Sequence, residues 1–287
     1  RVSPSADPID ALRAILGGGS SKEEMNELLR KQAEIEKEFS MLVQYVKNTP
    51  PKVIKVQTKE GKDVGEVDGP VHAQFDKIVN RVAFGIPTML VGPSGSGKTT
   101  LVQKMAQALG LRFGIVACSA GMDESSLLGT LGPVLKDGQV VLEYRKSDLV
   151  KCYENGGLFL LDEVDAADEN VLLVINAAIE NSILATPNNP DQPYVKRHKD
   201  FRIVACANTF GAGADRQYAG RNQLDAAFLD RFTGSTWFLD YDSALEDALI
   251  SPDVLAWGRA VREKIRTNKI RRFVSMRALI RATEGIE

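Results

Sequence analysis

Eight consecutive residues, Gly92-Pro93-Ser94-Gly95-Ser96-Gly97-Lys98-Thr99, match the pattern G-x-x-x-x-G-K-[ST] in full. The spacing has a chemical reason. Glycines let the main chain wrap closely around an anion and turn its N–H groups inward. The helix that the pattern opens adds the partial positive charge of its N-terminus. Lys98 can then place a point charge on the β- and γ-phosphates of ATP, and Thr99 can offer its hydroxyl to Mg²⁺. Gly92 through Thr99, with Thr100, are the expected nucleotide-binding residues. Further along, the apolar run Leu158-Phe159-Leu160-Leu161 leads straight into Asp162-Glu163, in the manner of a Walker B motif. Asp162, at the end of a strand, is suited to hold the water shell of Mg²⁺. Glu163 is suited to orient and deprotonate an attacking water. A second acid directly after the first favours hydrolysis over binding alone. An ordinary acidic loop pair is the alternative, and the phosphate loop in the same chain decides against it. Asp165 and Asp168 read as helix caps, Asp168 for a helix over 171–179.

Such loops need strands to carry them. Short apolar runs at 88–91, 113–118, 158–161, 201–207 and 236–239 alternate with helical stretches. Near-continuous apolar runs indicate strands buried on both faces, as in a parallel sheet covered by helices: an α/β fold. The first run feeds the phosphate loop, and a helix over 100–109 follows, which Gly110 can terminate. Upstream, 53–56 and 64–67 alternate around Lys59-Glu60-Gly61-Lys62 as a hairpin. Phe75, Ile78, Val79 and Val82 then mark a helix. Beyond about residue 241 the pattern is helical and charged to the end. Residues 1–20 read as loose, with Gly17-Gly18-Gly19-Ser20-Ser21 as a linker. Ser21 and Glu24 have capping-box spacing. Met25, Leu28, Gln32, Ile35, Phe39, Leu42 and Val46 then recur at intervals of three and four. That stripe packs on the body of the protein or serves as an association arm, and Pro50-Pro51 ends it.

At 287 residues, 44% apolar and 26% charged, the chain has the size of about two domains, or one with an appendage, and a globular composition. A formal net charge of −2 excludes a polycation, so any nucleic-acid contact must come from a local patch. The strongest such bias is Arg259, Arg262, Lys264, Arg266, Lys269, Arg271 and Arg272. It reads first as solvated helix faces, with nucleic acid, or acids such as Glu246 and Asp247 of a neighbouring subunit, as alternatives. Cys118, Cys152 and Cys206 lie far apart, and the chain has two His, which argues against a disulfide framework or a zinc site and fits a cytoplasmic setting. No stretch approaches the ~20 apolar residues needed to span a bilayer, so no membrane is expected. The first residue is Arg1 and no signal-peptide pattern follows, which reads as a segment of a longer product.

The two motifs together resemble those of the AAA+ ATPases, particularly the branch containing MoxR proteins and the ATPase subunit of cobaltochelatase. The resemblance spans about residues 70 to 285. It implies a parallel sheet of strand order 5-1-4-3-2 flanked by helices, with a small helical lid. Ile203-Val204-Ala205-Cys206-Ala207-Asn208 is similar to the strand carrying sensor 1, which implies that Asn208 positions the lytic water. Leu224-Asp225-Ala226-Ala227-Phe228-Leu229-Asp230-Arg231-Phe232 resembles the arginine-finger helix. Arg231 would then reach the γ-phosphate held by a neighbouring subunit, with Arg221 a second candidate for that contact. Ser275-Met276-Arg277 resembles sensor 2, with Arg277 acting in cis. The implied catalytic set is therefore Lys98, Glu163, Asn208, Arg231 and Arg277, with Thr99 and Asp162 on the metal. Val71 and His72 fall near the expected adenine contact, and Ser119 is a candidate partner for Glu163.

Two stretches resemble insertions of this branch that project toward a central pore. One is an insert in the second helix at about 122–144, and the other a hairpin before sensor 1 at about 183–200. The second carries Lys196-Arg197-His198-Lys199, read as a basic loop tip that meets nucleic acid or an acidic polypeptide, or is simply solvated. The expected organisation is an N-terminal linker and amphipathic helix over 1–50, a nucleotide-binding core over 51–240 including the hairpin 53–68, and a lid over 241–287. The expected function is Mg²⁺-dependent ATP hydrolysis in a ring, most simply a hexamer, that remodels a protein client such as one with a von Willebrand A domain. The alternatives are a nucleic-acid motor contacting its track through Lys196, Arg197, Lys199 or the lid, the ATPase subunit of a metal chelatase, and a nucleotide-gated scaffold.

Overall fold

The computed structural model describes residues 67–213, 218 and 220–285, the backbone at 56–57 and 63–64, and helical backbone at 30, 31, 33 and 37. The capping box, the apolar stripe over 25–46 and Pro50-Pro51 lie outside the described residues. The chain divides into two units, 1–50 and 51–287, and the architecture that follows is that of the second.

Two short strands, β1 (Val56–Gln57) and β2 (Asp63–Val64), pair antiparallel. Helix α1 (Phe75–Ala83) follows and buries Phe75, Ile78, Val79 and Val82, one face of a 3.6-residue period. Strand β3 (Thr88–Val91) leads through the glycine-rich loop into α2 (Lys98–Ala108), and β4 (Phe113–Ala117) comes next. A first excursion contains α3 (Glu124–Leu128) and the antiparallel hairpin of β5 (Thr130–Lys136) and β6 (Gln139–Arg145). Its turn is Asp137-Gly138, both at positive φ, the backbone a two-residue hairpin needs. Then α4 (Asp148–Asn155), β7 (Gly157–Asp162), a single 3₁₀ turn and α5 (Glu169–Glu180) return the chain to the core. A second hairpin, β8 (Ile183–Ala185) with β9 (Tyr194–Lys196), precedes β10 (Phe201–Ala207), α6 (Ala226–Asp230) and β11 (Thr236–Phe238).

The central sheet has five parallel strands in the order β11-β3-β10-β7-β4. Counted along the chain, that is 5-1-4-3-2, the expected order. Alternate residues of each strand point into opposite layers. Leu90, Leu158, Leu160, Val204 and Cys206 pack with α1 and α2. Met89, Val91, Phe159, Leu161, Ile203 and Ala205 pack with the helices on the other side. Two covered faces explain why the strands read as unbroken apolar runs. The carboxyl ends of β3, β7 and β10 come out on one edge, so Gly92, Asp162 and Asn208 emerge side by side.

The lid consists of α7 (Ser243–Leu249), α8 (Pro252–Thr267) and α9 (Met276–Glu284) around Leu245, Val254, Leu255, Met276 and Leu279. Asp242 caps α7 and Ser275 caps α9 through their side-chain oxygens. Among the described residues no helix is long and apolar enough to cross a membrane.

The surface differs from expectation in two places. Ile183 pairs with Lys196, so Lys196-Arg197-His198-Lys199 stands at the root of the second hairpin and not at its tip. The connection between β8 and β9 holds the tip instead and contains no Lys or Arg. Arg197 is exposed, and its guanidinium donates to the Ile179 carbonyl at 2.7 Å. In the lid, Glu246 and Asp247 are not left for a neighbour. Arg262 pairs with Glu246 at 2.7 Å and Arg259 with Asp247 at 2.8 Å, within the same subunit.

Phe159 is 1% exposed at the centre of the sheet. Phe159→Ala should lower unfolding stability by about 3–5 kcal/mol. Chemical denaturation checks this, and an unmoved midpoint would contradict the packing described.

Candidate active site

The glycine-rich loop is shaped by close contacts that only glycine tolerates. A Cβ on Gly92 would stand 2.0 Å from the Leu239 carbonyl oxygen. Gly95 and Gly97 adopt φ of 74° and 89°, the left-handed backbone that side chains disfavour. Directly after Gly97, α2 begins with Lys98, so the loop curls over a helix N-terminus. The Lys98 ammonium donates to the carbonyls of Gly92 (2.8 Å) and Pro93 (3.1 Å) and to Asn208 Oδ1 (2.9 Å). Burial pushes its pKa below the usual lysine value, against the opposing pull of Cys206, Asp162, Asp165 and Glu163. Thr99 Oγ1 donates to Asp162 Oδ2 at 2.7 Å.

These groups line a cavity of about 330 Å³, together with Glu163 and, from the lid, Arg277. Among the described residues no group of three His, Cys, Asp or Glu could hold a metal alone. Mg²⁺ does not require one, because water and phosphate complete its shell around one or two protein oxygens. The touching Thr99 hydroxyl and Asp162 carboxylate, beside the glycine-rich loop, could serve as such a pair. Cys206 also borders the cavity, but burial raises its pKa and keeps the thiol protonated.

Glu163 has a left-handed backbone, φ 53°, at the turn that follows β7. Its carboxylate meets Arg221 at 3.2 Å, not Ser119. Asp165 is not a helix cap. It is fully buried, and its Oδ2 accepts from the N–H of Asn208 (3.1 Å), the N–H of Thr209 (3.0 Å) and the Thr209 hydroxyl (3.0 Å). Asp165 Oδ1 faces Arg221 at 3.4 Å. This carboxylate therefore braces the turn after β7 against the end of β10. Asp168 does precede α5, but its side chain accepts from the Gly121 N–H at 2.9 Å and does not cap the helix.

Other contacts were invisible in the motif pattern. Ser94 of the loop is held from two sides: its N–H donates to the Tyr218 hydroxyl (2.9 Å), and its carbonyl accepts from the Tyr241 hydroxyl (3.0 Å). Burial pushes the Tyr241 pKa up to about 12. The Arg262 guanidinium lies 4.2 Å over the Tyr241 ring, so the lid is tied to the loop. A second, mainly apolar cavity of about 220 Å³ adjoins the loop between core and lid. Val71, His72, Leu101, Leu245 and Met276 are among the residues that line it.

Arg231 is the one expected catalytic residue that stands apart. It pairs with Glu180 at 2.7 Å and donates to the Ala227 carbonyl, outside the cavity of its own chain.

The family model described as AAA domain (dynein-related subfamily) matches residues 87–232, half of the chain. Aerobic cobaltochelatase subunit CobS of Sinorhizobium sp is 30% identical over 146 residues, covering 50% of this chain and 44% of that one. Midasin of Dictyostelium discoideum is 30% identical over 145 residues, covering 50% and 2%. The von Willebrand factor A domain-containing protein 8 of Mus musculus is 32% identical over 148 residues, covering 48% and 8%. The chain thus spans less than half the length of each of these relatives. The first agrees with the cobaltochelatase resemblance seen in the motifs.

Replacing a buried carboxylate whose Oδ2 takes three hydrogen bonds strands its donors. Asp165→Ala should destabilise the fold by about 3–5 kcal/mol, read as a lower denaturant midpoint. Near-wild-type stability would show that Asp165 is not the brace described.

Proposed function

The chain belongs to the dynein-related subfamily of AAA domains, and from that premise we propose that it hydrolyses ATP with Mg²⁺ in a ring of like subunits and so remodels a protein partner. One observation carries the hydrolytic reading: Lys98, Thr99, Asp162, Glu163 and Asn208 meet on one edge of the sheet at a helix N-terminus. The loop N–H groups and the α2 terminus bind the phosphates, and Lys98 exchanges its carbonyl partners for phosphate oxygens. Thr99 and Asp162 would hold Mg²⁺, which when bound would neutralise phosphate charge. Asn208 would orient a water, and Glu163 would accept its proton as the water oxygen bonds to the γ-phosphorus and the bond from that phosphorus to the β–γ bridging oxygen breaks, releasing ADP and phosphate. Arg277 contributes positive charge from the lid of the same subunit. The apolar cavity lined by Val71, His72, Leu101 and Met276 suits the base, so a bound nucleotide bridges core and lid.

A single subunit offers Arg277 to this cavity but not Arg231. That supports Arg231 acting on the nucleotide of a neighbour, hence a ring, with a hexamer the simplest closure. An arginine supplied in this way is worth roughly 10³–10⁵ in rate in P-loop enzymes. Lid movement on turnover would shift the subunits and their projecting hairpins. On the first hairpin, Leu135, Val140 and Leu142 are about 70% exposed and, by the strand register, share one face with Leu131 and Pro133. An apolar ribbon of this kind favours a protein partner over a nucleic acid. In the lid, Arg259 and Arg262 are already paired with Asp247 and Glu246, which weakens the nucleic-acid reading further. A partner with a von Willebrand A domain is in keeping with the name of one relative. Three free, buried thiols are in keeping with a cytoplasmic setting.

Two measurements test this. Glu163→Gln should retain ATP binding by calorimetry while turnover falls roughly 10²–10⁴-fold, whereas Lys98→Ala should lose binding. Absence of turnover by the unmodified chain at millimolar Mg²⁺ would refute the hydrolytic reading. For the partner, Leu135→Asp with Val140→Asp should abolish stimulation by a client protein and leave basal turnover within about twofold. Stimulation by DNA instead would favour the nucleic-acid motor.

A further inference from the structure

Arg221 was a candidate for the contact between subunits, yet it is already engaged within its own. One guanidinium nitrogen lies 3.2 Å from Glu163 Oε2 and another 3.4 Å from Asp165 Oδ1. The side chain is 14% exposed, between a half-exposed carboxylate and a fully buried one. Its backbone is tied to the same turn: the Asn222 N–H donates to the Asp165 carbonyl at 2.7 Å, and the Asn222 side-chain amide donates to the Ala167 carbonyl at 3.0 Å. Reaching a neighbouring subunit would break the contacts of Arg221 with Glu163 and Asp165.

We propose that Arg221 is a positioning residue of its own subunit's hydrolytic site, holding the Glu163 carboxylate in register for the attacking water while braced on Asp165. The proposal rests on the reading of Glu163 as the water-activating base. Glutamate is a flexible side chain, and at half exposure it would sample several rotamers unless a partner selected one. Arg221 meets only Oε2 of Glu163, which leaves Oε1 to accept a proton. The planar guanidinium suits a bridge between two carboxylates, since its donors form a rigid fork. A lysine ammonium, a point charge, can serve one carboxylate well but not both. Because Asp165 also accepts from the backbone at Asn208, the water-orienting and water-activating residues share one support.

The test combines kinetics with subunit mixing. Arg221→Ala should lower kcat on the order of 10- to 100-fold, with ATP affinity changed by less than about twofold. Arg221→Lys should recover only part of that loss. Retained ATP binding shows that a variant is folded, and the lysine variant, which keeps a cation beside Asp165, carries the test if the alanine variant does not fold. Arg221→Ala mixed with Glu163→Gln should regain no activity, because each subunit lacks half of one cis pair. Recovery in that mixture would assign Arg221 to the neighbour's site and overturn the proposal, as would an unchanged kcat. If the unmodified chain turns over no ATP, it is the hydrolytic reading that fails, and this proposal falls with it. Turnover by the unmodified chain with equal turnover by both variants sinks this proposal alone.

Discussion

The buried ammonium of Lys98 is the interaction on which the rest of the site depends. A cation taken out of water must find compensating partners. Here they come from two places far apart in sequence, the carbonyls of Gly92 and Pro93 and the side chain of Asn208. That requirement fixes the end of β3 against the end of β10. Asp162, on the adjacent strand, then falls within reach of Thr99, and the groups that need to surround a triphosphate stand together before one arrives. The glycines serve the same end, since a side chain at Gly92 would collide with the main chain at Leu239.

A second support lies beneath the first. Asp165 gathers the N–H groups of Asn208 and Thr209 and the Arg221 guanidinium. It links the turn that carries Glu163 to the strand that carries Asn208. The lid is joined to the loop differently, through Tyr241 on the Ser94 carbonyl and Arg262 over the Tyr241 ring.

How far these features could be read from the chain depends on whether the chemistry is local. The phosphate loop and the Asp162-Glu163 pair are contiguous, and their spacing is dictated by the shape of a triphosphate, so they were legible at once. The sheet order was legible because strands buried on both faces leave unbroken apolar runs, and the family resemblance ordered them. Side-chain pairings were not legible. Nothing near Arg231 in sequence points to Glu180, and nothing near Arg221 points to Glu163 and Asp165. The basic run at 196–199 misled because hydropathy marks a hairpin but not its register. Once Ile183 pairs with Lys196, the cations fall at the root. Asp165 left one faint signal, an acid two residues past Glu163 between Val164 and Ala166, both apolar.

The measurement that bears most directly on this account is a structure of the Glu163→Gln chain with Mg²⁺ and ATP. Lys98 should leave the Gly92 and Pro93 carbonyls for the β- and γ-phosphates, Thr99 and Asp162 should face the metal, and the base should fill the cavity between His72 and Met276. A nucleotide bound elsewhere, or Lys98 still on its carbonyls with the triphosphate present, would contradict the account.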